Sequence, residues 1–158
     1  MDNRKEGRGG YRSNLDINEK LMVAIVKASE LFRKDSNAIF QKYGLTFSQY
    51  NVLWVLYNSP NGRNTMKTTS RIMIVSGANM TGLAKRLEKN GYIIRKNDHH
   101  DERVKFLKIT PKGKQAINTI QAAKNENIAR YLVSFSENEK KAMLNSLNRI
   151  FNKSPEVV

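Results

Sequence analysis

The eighteen residues SGANMTGLAKRLEKNGYI, from Ser76 to Ile93, limit the fold more than any other stretch of the chain. Ser76 is a favoured N-terminal cap, and Gly91 is a favoured residue just past a helix end. Between them, apolar residues recur at i, i+3, i+4 and i+7, at Met80, Leu83, Ala84 and Leu87. This spacing predicts a helix that packs against its surroundings by one narrow stripe.

The opposite side of this predicted helix is unusual for a surface helix. At about 100° per residue it is small near its N-terminus and basic towards its C-terminus. Its members are Ala78, Thr81, Gly82, Lys85 and Lys89, with Asn79 and Arg86 on the flank. An ordinary solvated helix would carry Glu or Gln where alanine and glycine stand here. Small residues let a helix approach base edges in a DNA groove while cations reach phosphates, so the face favours DNA contact.

The preceding segment predicts three more helices. Residues 1–14 are expected to form a disordered tail. Asp16 and Glu19 then form a capping box, and apolar residues recur at helical spacing from there to about Gln41. Thr46 and Gln49 form a second box ahead of the apolar run to Tyr57. A short helix follows from about Met66 to Ile74.

The segment after Gly91 predicts two strands, Tyr92–Lys96 and Val104–Ile109, with Leu107 and Ile109 as the buried pair. Thr110 and Pro111 then begin another helix. Helix, turn, helix and basic hairpin is the order of a winged helix-turn-helix. The predicted fold class is therefore mainly α, with a small β-hairpin wing and a helical dimerisation region.

The charge of the chain supports an anionic partner. Its 28 Lys and Arg against 14 Asp and Glu give a net charge of +14 and a pI of about 10.1. Residues 63–114 hold 13 of these cations and only four acids. Nucleic acid is the first candidate and an anionic membrane the second, with a solvated basic surface as the alternative to both. The longest apolar runs have six residues and cysteine is absent, which predicts a cytoplasmic protein without disulfides or a thiol redox sensor.

Five motifs stand in the order and spacing of one known family. They are Thr46-Phe47-Ser48-Gln49-Tyr50-Asn51-Val52-Leu53, Val75-Ser76-x-x-Asn79-Met80-Thr81-Gly82-Leu83, Arg86-Leu87-Glu88-Lys89-x-Gly91, Asp101-x-Arg103 and Leu107-x-Ile109-Thr110-x-x-Gly113. Together they resemble the MarR family of bacterial transcription regulators, over about residues 16–152. Each motif alone is common, but five in register are specific.

The resemblance implies a homodimer whose terminal helices interlock and whose two lobes bind a pseudo-palindromic operator. In that family a wing-tip arginine enters the minor groove and the aspartate two residues before it holds it in place; these roles fall here to Arg103 and Asp101. Arginine suits a narrow, electronegative groove, which agrees with the assignment. The expected organisation is one domain over residues 15–158, with the winged lobe at about 46–110 and dimerisation helices at about 16–41 and 111–152.

The terminal helices also favour dimerisation by their own pattern. The helix from Pro111 has more apolar residues than a small lobe can cover. Ser136 and Glu139 form a capping box ahead of a last helix, whose stripe is Met143, Leu147, Ile150 and Phe151. Burial against a second copy covers these stripes, and a monomeric bundle is the alternative.

The histidines at the wing tip are weaker candidates for chemistry. His99 and His100 are adjacent on a strand-like tip and point in opposite directions, so a metal shared by both is disfavoured, and a carboxylate–histidine pair that binds Zn²⁺ or Ni²⁺ is the alternative. The chain has no cysteine and no other histidine to support catalysis. We therefore expect no enzyme activity, no metal site and no cofactor.

The predicted function is a sequence-specific regulator of transcription, a repressor released by a small-molecule effector, that binds double-stranded DNA. A sequence-independent, chromosome-associated protein and a protein-docking module are the alternatives. Phe40, Tyr43, Tyr50, Trp54 and Tyr57 either line an aromatic effector cleft or, as their helical spacing favours, form core. The predicted DNA interface comprises Ser76, Ala78, Asn79, Thr81, Gly82, Lys85, Arg86, Lys89, Arg71, Arg95, Asp101, Arg103 and Lys105.

Overall fold

The computed structural model describes residues 14–97 and 104–152. Its helices are α1 (Ile17–Gln41), α2 (Phe47–Tyr57), α3 (Met66–Ile72), α4 (Gly77–Lys89), α5 (Pro111–Leu132) and α6 (Glu137–Phe151). Its strands are β1 (Arg63–Thr65), β2 (Ile93–Asn97) and β3 (Lys105–Ile109), and a 3-10 turn at Pro60–Gly62 precedes β1. The mainly helical fold class with a small wing is confirmed.

Side-chain caps begin the helices where the sequence predicts them. The Ser76 hydroxyl accepts the Asn79 N–H, and the Thr110 hydroxyl accepts the Gly113 N–H at 3.1 Å. Both partners of the capping box are present at Thr46 on α2 and at Ser136 on α6. These short-range bonds satisfy N–H groups that a helix start leaves free, which fixes the first turn.

The chain divides into two compact units within α1, between Lys34 and Asp35. In the first unit, the Asp16 carboxylate accepts the Glu19 N–H and the Glu19 carboxylate accepts the Asp16 N–H, both at 2.9 Å. This confirms the predicted capping box. Most of the apolar side chains of this stretch are exposed, with Ile17 at 76% and Val26 at 57%.

The second unit holds the apolar core, which α2, α4, α5 and the sheet enclose. Leu107 and Ile109 are buried on β3, as the strand pattern predicts. Four residues form the buried stripe of α4, each at most 8% exposed: Met80, Leu83, Ala84 and Leu87. The helix therefore packs by the one predicted side.

Two features differ from the sequence prediction. The wing has a third strand, because β1 pairs with β3 to give the antiparallel order β1-β3-β2. The helix α3 ends at Ile72 rather than near Ile74, since Ile74 has a left-handed backbone with φ of 53°.

Candidate nucleic-acid interface

The outward face of α4 is open along its length. Ala78, Asn79, Thr81, Lys85, Arg86 and Lys89 are all exposed, and Gly82 is half-buried. The hydroxyl of Thr81 donates to the Gly77 carbonyl at 2.9 Å, so that it lies close against the helix. The N-terminal half of the face therefore has only short side chains that lie close to the helix backbone, while its C-terminal half presents long cationic side chains.

Gly82 is not required by packing inside the protein. Among the residues that the structure describes, a Cβ atom at this position would approach only the flexible Arg86 Nη2, at an ordinary 3.7 Å. Gly113 differs, because its Cβ would lie 2.4 Å from the Tyr92 carbonyl oxygen. Gly113 serves the contact between α5 and the wing, whereas Gly82 leaves room on the outside of α4.

An ion pair joins α4 to the wing. The Glu88 carboxylate accepts the Arg95 N–H at 3.1 Å and the Arg95 Nε–H at 2.6 Å, and Arg95 Nη2 lies 2.5 Å from the same carboxylate. The hydrogen bond from the Arg95 side chain, with a smaller opposing effect of burial, holds the pKa of Glu88 below its usual value. Arg95, which the sequence suggests as a phosphate contact, thus has a protein partner in this structure.

The other predicted interface residues lie on separate elements. Arg71 is exposed in the last turn of α3, and Lys105 is exposed at the start of β3, opposite Asn97 on β2. Asp101 and Arg103 lie outside the described residues, as do His99 and His100. Of the predicted interface residues, the structure therefore places those on the outward face of α4 next to one another, and it joins this helix to the wing through the Glu88–Arg95 pair.

Glu88 is a functional candidate that the sequence analysis did not single out. It is the only acid between residues 63 and 97, a stretch rich in cations. An isolated carboxylate among cations indicates a dedicated partner, and this signal was available in the sequence. The choice of Arg95 as that partner depends on the packing of β2 against α4, which a sequence pattern does not give.

A row of stacked aromatic rings runs from the C-terminal end of α1 along α2. Ring centroids are 4.1 Å apart for Phe40 and Tyr50, 6.3 Å for Tyr50 and Trp54, and 6.2 Å for Trp54 and Tyr57. Phe40 and Tyr50 belong to the core, whereas Tyr57 is 39% exposed. Lys124 Nζ lies 3.9 Å from the Trp54 ring centroid, which gives the row a cationic neighbour on α5.

The hydroxyl group of Tyr50 is buried and accepts or donates no hydrogen bond within the described part of the chain. Burial raises the pKa of Tyr50 to about 12 and lowers the pKa of Lys124. A buried hydroxyl without a hydrogen-bond partner is uncommon and lowers the stability of the fold.

Other kinds of site have less support. Among residues 14–97 and 104–152, no three His, Asp or Glu side chains come close enough to hold a metal ion. In the same residues, no helix has the length and apolar character needed to cross a bilayer.

Comparison with known proteins agrees with the geometry of α4 and the wing. The family described as transcriptional regulator SarA/Rot matches residues 34–120. The HTH-type transcriptional regulator SarZ of Staphylococcus aureus is 30% identical over 145 residues, which cover 91% of this chain and 95% of SarZ.

Solved structures share the fold at lower identity. Sco3205, a MarR family transcriptional regulator from Streptomyces coelicolor solved in complex with DNA, has a TM-score of 0.79 and 20% identity, covering 92% of this chain and 94% of its own. The organohalide-sensing regulator RdhR-CbdbA1625, solved with 2,4-dichlorophenol, has a TM-score of 0.80 and 17% identity, covering 95% and 90% of the two chains.

Proposed function

The chain belongs to the SarA/Rot family of transcriptional regulators, with the fold of MarR regulators, and we propose that it binds a pseudo-palindromic operator as a homodimer. It is a DNA-binding regulator and not an enzyme. We propose further that it acts as a repressor and that a small-molecule effector releases it from DNA.

The outward face of α4 is the observation that carries the proposal. Its N-terminal half has the exposed Ala78 and the half-buried Gly82, whose small size allows the backbone to approach base edges in the major groove. Lys85, Arg86 and Lys89 extend from the other half towards phosphates. Asn79 and Thr81 lie between Ala78 and Gly82 in the chain, so their amide and hydroxyl groups can form hydrogen bonds with bases.

A wing-tip contact completes the proposed interface. We propose, as the resemblance to MarR regulators implies, that Arg103 enters the minor groove beside the α4 site and that Asp101 holds it there. Replacement of Arg103 by alanine is then expected to cost about 1–3 kcal/mol of binding free energy per half-site and to relax the preference for A·T there.

The exposed apolar surface of α6 supports a homodimer. The helix has no buried residue in the single chain, and Leu144, Ile150 and Phe151 are 58%, 45% and 47% exposed. Apolar stripes of this kind mark interfaces, and a second copy covers them with the matching helix by two-fold symmetry. Two symmetric lobes predict half-sites about one helical turn, roughly 10 bp, apart.

The aromatic row supports an effector-controlled regulator. The partnerless hydroxyl of Tyr50 and the cation of Lys124 beside Trp54 are groups that a phenolic ligand would engage. The 2,4-dichlorophenol complex of RdhR-CbdbA1625 is an example of such a ligand on this fold. The effector proposed here is a small aromatic molecule that binds along this row.

Selection of bound duplexes from a random pool, at two salt concentrations, tests the DNA proposal. We expect an enriched palindrome and an affinity that falls steeply with salt, by a slope of about −0.9 for each phosphate contact. Enrichment of no motif, with equal affinity for all duplexes, would instead identify a sequence-independent chromosome-associated protein.

A further inference from the structure

The wing sheet has a face that points away from α4. Directly opposite residues on antiparallel strands project to the same side. Arg63 and Ile94 both stand opposite Lys108, and Thr65 and Lys96 both stand opposite Phe106. We call this set the outer sheet face: Arg63, Thr65, Ile94, Lys96, Phe106 and Lys108. The other side carries the buried Leu107 and also Arg95, which pairs with Glu88 of α4.

The outer sheet face is basic and open, and none of the six residues that define it is an acid. Arg63, Lys96 and Lys108 are exposed, and Ile94 is 39% exposed between them. None of the three cations forms an ion pair with any of the described residues.

The guanidinium group of Arg63 lies over the aromatic ring of Phe106 on the neighbouring strand β3. Its guanidinium carbon lies 5.0 Å from the centroid of the Phe106 ring. Stacking on a ring orients a guanidinium while leaving its N–H groups free, so the geometry suits a bidentate contact with phosphate.

The cross-strand pairing of cations indicates that an anion belongs on this face. Arg63 and Lys108 are direct neighbours across β1 and β3, an arrangement that is unfavourable in the protein alone. Neighbouring strands are about 4.8 Å apart, so the cations of the three strands span roughly 10 Å. That width spans several phosphates of DNA, in which each strand carries one charge per roughly 3.4 Å of helix axis.

We propose that the outer sheet face binds the phosphate backbone of DNA that flanks the operator, beyond the wing. The inference rests on the proposed function, because the wing must first be placed on DNA by α4. Continuity favours DNA over an acidic protein: β2 and β3 carry the outer sheet face on one side and connect to α4 through the Arg95–Glu88 pair on the other. The face also has few exposed apolar groups, whereas the centre of a protein interface is apolar.

Two duplexes with the same operator test the proposal. One ends at the outer edge of the half-sites, and the other carries about 15 bp of unrelated sequence at each end, roughly one and a half helical turns. The variant is Arg63→Gln with Lys108→Gln. The control is Lys42→Gln with Lys141→Gln, which removes the same charge from exposed positions on other elements, just after α1 and on α6.

The wild type and the control are expected to bind the longer duplex roughly tenfold more tightly, and the outer-face variant to lose this gain. All three bind the short duplex equally. On the longer duplex, the salt slope of the variant falls by about 0.9 per lost contact, or by up to about 4 for a dimer.

Failure of the wild type to bind the short operator selectively would overturn the proposed function itself. Selective binding of the short operator with no gain from flanks would overturn only the proposal for the outer sheet face. If poly-glutamate then binds the wild type but not the variant, the face belongs to an acidic protein partner.

Discussion

At Gly82 the residue that would best stabilise the helix differs from the residue that the proposed DNA contact requires. Its Cβ position is free inside the protein, and glycine in a helix interior is about 1 kcal/mol less favourable than alanine. Gly82→Ala is therefore expected to raise the free energy of unfolding by up to about 1 kcal/mol in urea titrations. The added methyl group faces the proposed groove, so operator affinity measured by fluorescence anisotropy should fall several-fold.

The control for this prediction is Asn145→Ala. Asn145 is exposed on α6, and alanine there also favours the helix without altering α4. It should stabilise the protein and leave operator affinity unchanged. If Gly82→Ala is also stabilised and still binds as tightly as the wild type, Gly82 does not face DNA.

Tyr50 predicts a loss of stability at alkaline pH. Because the pKa of Tyr50 rises to about 12 on folding, its neutral phenol is favoured in the native state. In the unfolded chain the Tyr50 phenol ionises near pH 10. Its contribution to the free energy of unfolding is therefore fully present below pH 10 and is lost as the pH rises towards 12. By pH 11, the wild type should have lost about 1 kcal/mol more than Tyr50→Phe in urea unfolding.

The same substitution tests the partnerless hydroxyl at neutral pH. Its removal should leave the free energy of unfolding unchanged or raise it by about 1 kcal/mol, because no protein hydrogen bond is lost. Tyr43→Phe, at a tyrosine that is 37% exposed, is the control, because it also removes one phenol hydroxyl but keeps that of Tyr50. A marked destabilisation of Tyr50→Phe at pH 7 would contradict the absence of a partner.

The contact between α4 and β2 sets the position of the wing, and Glu88→Gln should disturb it. Exposed ion pairs contribute roughly 0–1 kcal/mol, so the fold should persist. Arg95, once released, becomes available to any phosphate. Non-specific affinity should then rise, with a salt slope steeper by about 0.9 per subunit, and the ratio of specific to non-specific affinity should fall.

Competition binding with operator and random duplexes measures this ratio. Glu126→Gln, at an exposed acid on α5, changes the net charge equally and is the control. Equal losses of specificity in both variants would show a general charge effect. The pKa of Glu88 is below its usual value, so the pair is lost only in acid and the difference should hold from pH 6 to pH 8.

The elements show which parts of the fold are readable from sequence. The caps at Thr46, Ser76 and Ser136 are predictable because each cap and its partner lie within four residues. The buried stripe of α4 is predictable because one helix period encodes it. The strand β1 was missed, because three polar residues have no alternation and form a strand only by pairing with β3, more than forty residues later.

The candidate site divides in the same way. The exposed face of α4 follows from its own spacing, and the structure leaves it open as expected. The ion pair of Arg95 and the stacking of Arg63 on Phe106 depend on which strands meet, so they were not predicted. Local spacing thus predicts the exposed face of α4, while tertiary pairing decides which cations have a partner within the protein.

The proposed dimer would link the terminal helices to DNA affinity. In the single chain α6 buries no residue, and Leu147 and Ile150 are 36% and 45% exposed, so substitutions there spare the core. Leu147→Glu with Ile150→Glu should place four carboxylates in an isologous interface and give a monomer in sedimentation equilibrium. Circular dichroism should show that the lobe remains folded.

The monomer should also bind a full operator about 100-fold more weakly, because the second half-site contact is no longer intramolecular. A duplex with one half-site should be bound equally by the wild type and the variant. Asn145→Glu with Asn148→Glu adds the same charge to the polar side of α6 and should remain dimeric. A variant that keeps the wild-type mass would show that the stripe of α6 does not form the dimer, and α1 would then have to supply the interface.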